Sequence, residues 1–199
     1  GVLCRTFAAL LPDLTAMLGV DERQLGLLIF CTPIAAISAM LAAPRLGAAM
    51  GRAALPLSVA LMALAFALPG QASAVWLFPL AMACAGAATG LTDVLMNARV
   101  AALETSRGLH LMNLTHAAYS FGYAGGAVLT GVMRGAGWGP GAVMGTMAAL
   151  GLAFAALTVE KDGRIDGLRK PKDGSALPLG LVPVIGGGIV LIAFMTENA

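Results

Sequence analysis

Four polar side chains stand out because of where they sit. Asp93, Asn97, His116 and Tyr119 lie in the stretch Gly90 to Gly126, inside two segments otherwise apolar enough for lipid, with Glu104 and Arg107 in a short charged turn between them. Ionisable groups at membrane depth are costly, which makes each one a candidate for function. Asp93 and Asn97 are four residues apart and share one helix face. His116, Tyr119 and Ser120 share a face of the next helix, with Asn113 one turn earlier. A carboxyl that can lose a proton, an imidazole that titrates near neutral pH and hydroxyls beside them suit a pathway for a proton or a small polar solute. An imidazole hydrogen-bonded within the helix bundle is the structural alternative. A further charge, Arg5, falls in the first apolar segment. It is expected to pair with Asp93 or to share a solute with it, the alternative being that its long side chain snorkels to the near interface. Ser120 and His116 also raise nucleophilic catalysis. They lie on a single helix without a third orienting group or an oxyanion loop, so a non-enzymatic role is expected.

These residues must be positioned by a membrane scaffold. The 199-residue chain is 59% hydrophobic and only 11% charged, with a mean hydropathy of +0.87. Soluble domains average about 45–50% apolar and about 25% charged residues. The composition therefore implies an integral membrane protein and shows no basic patch for nucleic acid. Cys4, Cys31 and Cys84 lie singly in separate apolar segments, without CxxC or metal-ligand spacing, and read as small core hydrophobes. No cofactor or metal is called for. The first segment lacks the basic start and cleavage site of a secretory signal. An opening without Met and a close inside an apolar run lead us to expect a fragment of a longer protein.

A crossing needs about 20 mostly apolar residues. Seven candidate spans appear, at about 1–18, 25–44, 53–69, 74–102, 109–133, 142–159 and 177–195. The expected fold is an all-α, polytopic transmembrane bundle. A six-helix unit occupies 1–159, a basic loop 160–176, and a seventh helix 177–199. The turns after the second, fourth and sixth spans carry Arg45 and Arg52, Arg99 and Arg107, then Lys161, Arg164, Arg169, Lys170 and Lys172. Those after the odd-numbered spans carry Arg23 and Arg134. The positive-inside rule places the even-numbered loops in the cytoplasm. By helical rise, Asp93 lies about 27 Å from Val75, in the cytoplasmic third, unless it is a solvated residue at the headgroup level. Gly86 and Gly90, and Gly122 and Gly126, are four apart, a spacing that lets helices approach closely in lipid.

The runs Gly90-Leu-Thr-Asp93-Val-Leu-Met-Asn97 and Leu111-Met-Asn-Leu-Thr-His116-Ala-Ala-Tyr119-Ser120-Phe-Gly122 resemble the fourth and fifth helices of major facilitator superfamily transporters. The similarity is nearest the fucose permease-like branch of bacterial inner-membrane permeases. Leu10-Leu-Pro-Asp-Leu14 with Gln24-Leu-Gly26 is similar to the end of that superfamily's first helix and the start of its second, and Ala193-Phe-Met-Thr-Glu197 resembles its seventh. The resemblance implies the N-terminal half plus helix seven of a twelve-helix secondary transporter, built from inverted three-helix repeats. It also implies Asp93 as a proton-coupling acid and His116 and Tyr119 as solute contacts. The sequence departs from the pattern twice. The Asp that usually precedes Arg-x-Gly-Arg in the loop between helices two and three is absent. Arg5 and Thr6 stand where the fucose transporter has a helix-one acid, which favours an anionic solute over proton–sugar symport. An exporter of amphipathic solutes, or a membrane sensor or assembly protein that keeps the fold, is the alternative function.

Overall fold

A computed structural model describes residues 2–108, 110–161, 163–165 and 168. The expected seventh helix and most of the expected basic loop lie outside them. Among the described residues the secondary structure is helical, with no strand. Seven α-helices follow in order: α1 Val2–Leu18, α2 Glu22–Ile29, α3 Cys31–Met50, α4 Ala54–Ala67, α5 Leu77–Arg107, α6 Met112–Gly135 and α7 Pro140–Leu157.

Local chemistry sets the breaks. Gly19, at φ 65°, ends α1 in the left-handed region. Asp21 then opens α2 with a reciprocal capping box, accepting from the Gln24 N–H at 2.7 Å while its own N–H donates to the Gln24 side chain at 3.0 Å. The expected single span 25–44 is two helices. Pro33 has no N–H to offer the Ile29 carbonyl, and the helix interrupts at Phe30. The expected basic loop 45–52 is also corrected: α3 runs through Pro44 and Arg45 to Met50, and the turn is confined to a 3₁₀ segment, Gly51–Ala53. Leu46 to Met50 are good helix formers apart from Gly47, and nothing stops the helix before Gly51 takes φ 59°. Likewise Glu104 and Arg107 are not in a turn but in the last turns of α5, which ends at Gly108 with φ 62°. The Glu104 carboxylate accepts from the Met112 N–H at 2.7 Å, tying the end of α5 to the start of α6.

Among the described residues, three stretches are long and apolar enough to cross a membrane: Glu22–Gln71, Leu77–Arg107 and Pro140–Leu157. The first has 50 residues, too many for one crossing of about 20, and the Gly51–Ala53 turn divides it. Large apolar side chains such as Leu41, Phe121, Val128, Phe154 and Leu157 point outward. A soluble domain would rarely expose so much apolar surface, whereas a bilayer solvates it. The protein is an all-α membrane bundle.

Small residues bring the helices together. A Cβ at Gly86 would stand 3.0 Å from the Thr32 carbonyl carbon, and one at Gly90 would stand 3.0 Å from the Ala36 carbonyl carbon and Cα. Thus α5 lies directly on the α3 backbone. On the other side, Gly126 abuts Val2 at the start of α1, where a Cβ would stand 2.8 Å from the Val2 carbonyl oxygen. One heptad stripe of α1 (Leu3, Leu10 and Leu14) is buried with Phe78, Met82, Met133, Val143 and Met147 from α5, α6 and α7.

Two polar contacts continue the α1–α6 seam. The Thr130 hydroxyl donates to the Thr6 hydroxyl at 2.9 Å, and both side chains are buried. Such interhelical bonds in membranes contribute about 0.6 kcal/mol on average and about 1.7 at most. Thr6→Val and Thr130→Val are each expected to lower stability by about 1 kcal/mol. The double variant should lose less than the sum, because no hydroxyl is then left without its partner. A double-mutant cycle on detergent-denatured protein checks this, and additive losses would show that the two hydroxyls do not interact. One turn beyond Thr130, Arg134 donates to Asp13 from Nε at 2.5 Å and from Nη2 at 3.0 Å. The hydrogen bonds to Asp13, then its charge, raise the guanidinium pKa above its ordinary value. Stability linked to that shift is fully present below the ordinary value and fades only above it, so the bridge is constant across physiological pH.

Candidate functional site

The predicted residues divide between one polar row and an outlying pair. On α5, Asp93 is exposed and accepts from the Asn97 Nδ2 at 3.3 Å, as their spacing of four requires. On α1, the Arg5 guanidinium donates to the Tyr123 hydroxyl at 3.4 Å and lies 5.3 Å from the centre of that ring. The cation therefore meets both the oxygen and the π-face of one residue. Tyr123 in turn stacks with Tyr119, ring centres 6.4 Å apart and planes at 26°. Arg5, Tyr123 and Tyr119 thus form one row across α1 and α6, and Asp93 with Asn97 forms a separate pair on α5.

The expected Arg5–Asp93 ion pair is not among those of the described residues, which are Arg99–Glu160 and Arg134–Asp13. Arg5 is held by Tyr123 instead. The reason is the α1–α6 seam: Gly122 and Gly126 bring α6 against Val2, and Tyr123 flanks that contact one residue after Gly122. His116 and Ser120 are exposed on α6. The Ser120 hydroxyl donates to the His116 backbone carbonyl at 3.1 Å, an ordinary in-helix bond that leaves the imidazole uninvolved.

Tyr123 was not among the predicted site residues. A signal for it existed, since it continues the face of His116 and Tyr119 by one turn, seven and four residues on.

The helices and their outward-facing apolar side chains define an all-α membrane protein rather than a packed soluble domain. No described family matches the chain, and no solved structure does. The chain is 28% identical over 202 aligned residues to an uncharacterized MFS-type transporter of Yersinia pestis. The alignment covers all of this chain and 52% of that protein, so the chain spans about half the length of the curated relative it matches. This likeness supports membership of the major facilitator superfamily.

Proposed function

We propose that this chain forms one half of a secondary active transporter, a permease that moves a small polar solute by alternating access across a bacterial inner membrane. The observation that carries the reading is the row Arg5–Tyr123–Tyr119, together with the exposed Asp93 and its neighbour Asn97, in a bundle that turns many large apolar side chains outward. Polar groups that do not bury themselves in the bundle have no structural reason to be kept at membrane depth. A solute or proton pathway supplies one. In this reading the partner across the pathway is the second half of the same transporter, and the two halves rock about a central site. Asp93 is the proton-coupling acid, Arg5 and the two tyrosines contact the solute, and His116, Ser120 and Asn97 border the path. The arginine-bearing ends of α3 and α5 and the turns that follow them lie in the cytoplasm.

The residue runs of α5 and α6 resemble the fucose permease-like branch. Arg5 in place of a helix-one acid turns the proposed specificity toward an anionic solute. Uptake by the intact protein reconstituted in vesicles, across a panel of labelled sugars and small carboxylates with and without an imposed proton gradient, tests the reading. Gradient-driven accumulation of one class supports it. A failure of every solute to cross favours a sensor or assembly protein on the same fold.

A further inference from the structure

The described residues that follow α7 fold back onto the bundle. Glu160 accepts from the Arg99 guanidinium through Nε at 3.1 Å and also through Nη2. The same guanidinium donates from Nη1 to the Arg164 backbone carbonyl at 3.2 Å. The Arg99 side chain is only 14% exposed. Next to these contacts Gly163 lies on the turn between α3 and α4, where a Cβ would come within 3.1 Å of the Arg52 carbonyl. Ile165 is 6% exposed and packs with Ala43 of α3, Ala54 of α4 and Leu91 and Leu95 of α5. An acid, a glycine and an isoleucine thus each sit where a charge, a close backbone and an apolar gap require them. A solvated linker with a lysine and an arginine would need none of the three.

We propose that Glu160, Gly163 and Ile165 form a clasp controlled by the Arg99–Glu160 ion pair: the pair holds these residues down, and the seated Ile165 pins α3, the start of α4 and the middle of α5 together. Arg99 is six residues beyond Asp93, about 9 Å along α5. The clasp therefore fixes the stretch of α5 that carries the candidate acid. It stands on contacts within the bundle and holds whether or not the transport reading does.

The test uses the intact protein in permeabilised membranes, with Cys4, Cys31 and Cys84 replaced by Ser. Single cysteines at Ile165 and at the exposed Lys161 are labelled with a charged, water-soluble maleimide. The Ile165→Cys thiol is expected to react at least roughly tenfold more slowly than the Lys161→Cys thiol, because labelling waits on local opening. Adding Glu160→Gln should bring the two rates together. Equal rates without Glu160→Gln, or protection that survives it, would overturn the proposal. Cysteine itself can loosen the seat of Ile165, so a second measurement leaves that residue in place. A chain with Arg52→Cys and Arg164→Cys, both exposed positions that leave Gly163 and Ile165 in place, should cross-link readily with a short bis-maleimide, and slowly once Glu160→Gln is added. Absence of the cross-link, or a rate indifferent to Glu160→Gln, counts against the clasp.

Discussion

Replacing Asp93 with Asn in the intact protein is expected to abolish accumulation of solute against its gradient while sparing counterflow exchange. The amide keeps the size of the carboxylate and can still bond Asn97, 3.3 Å away, so the path for the solute keeps its shape. It cannot take up and release a proton, so the coupling step is lost. Folding should survive, because the variant removes a charge from an exposed position and leaves Asn97 with a partner. The measurement is paired: concentrative uptake, then exchange of labelled for unlabelled solute at equal concentrations, in the same vesicles. Full concentrative uptake by Asp93→Asn would exclude the acid from coupling. Loss of both activities would assign it to solute binding or to structure instead.

The second large effect is on stability. Gly90→Val and Gly86→Val are each expected to cost about 1–3 kcal/mol or more, the range for overpacking a closely fitted site. The added atoms would meet the carbonyls of Ala36 and Thr32, which are backbone and cannot swing aside as a flexible side chain would. Helices α3 and α5 would have to separate, which undoes the closest packing in the bundle. Gly145→Ala is the matched control, since its Cβ meets nothing within 4 Å and alanine favours the helix by about 0.5–1 kcal/mol. Fluorescence-detected size exclusion after detergent extraction and graded heating reads all three. Equal behaviour of Gly90→Val and Gly145→Ala would show that α3 and α5 are not in contact at that point.

The site was partly readable for a definite reason. Helical periodicity is a local property, so Asp93 with Asn97, and His116 with Tyr119 and Ser120, could be placed on shared faces from spacing alone. The partner of Arg5 could not, because it depends on how far α1 slides along α6. That register is set by contacts 118 to 124 residues apart in sequence, Arg5 to Tyr123 and Thr6 to Thr130. Opposite charge suggested Asp93, and geometry gave Tyr123.

The boundaries followed the same division. Gly19, Asp21 with Gln24, Pro33 and Pro140 act on their own neighbours in the chain, and the structure breaks or starts helices at each. By contrast α3 runs on through Pro44 and Arg45, and α5 continues past Glu104, because proline in a helix removes a single hydrogen bond and a charge at the end of a long helix can reach water or a neighbouring backbone N–H.

By itself, then, the sequence determined an apolar helical bundle and the Gly86–Gly90 and Gly122–Gly126 spacings that permit close approach, since both follow from composition and a 3.6-residue repeat. Tertiary structure decided that the first pair meets α3 and the second meets α1. It also decided that Tyr123 holds Arg5, and that Glu160 and Ile165 return to α5. These are choices among partners distant in the chain, and the free energy that selects them exists only once whole helix faces are packed together.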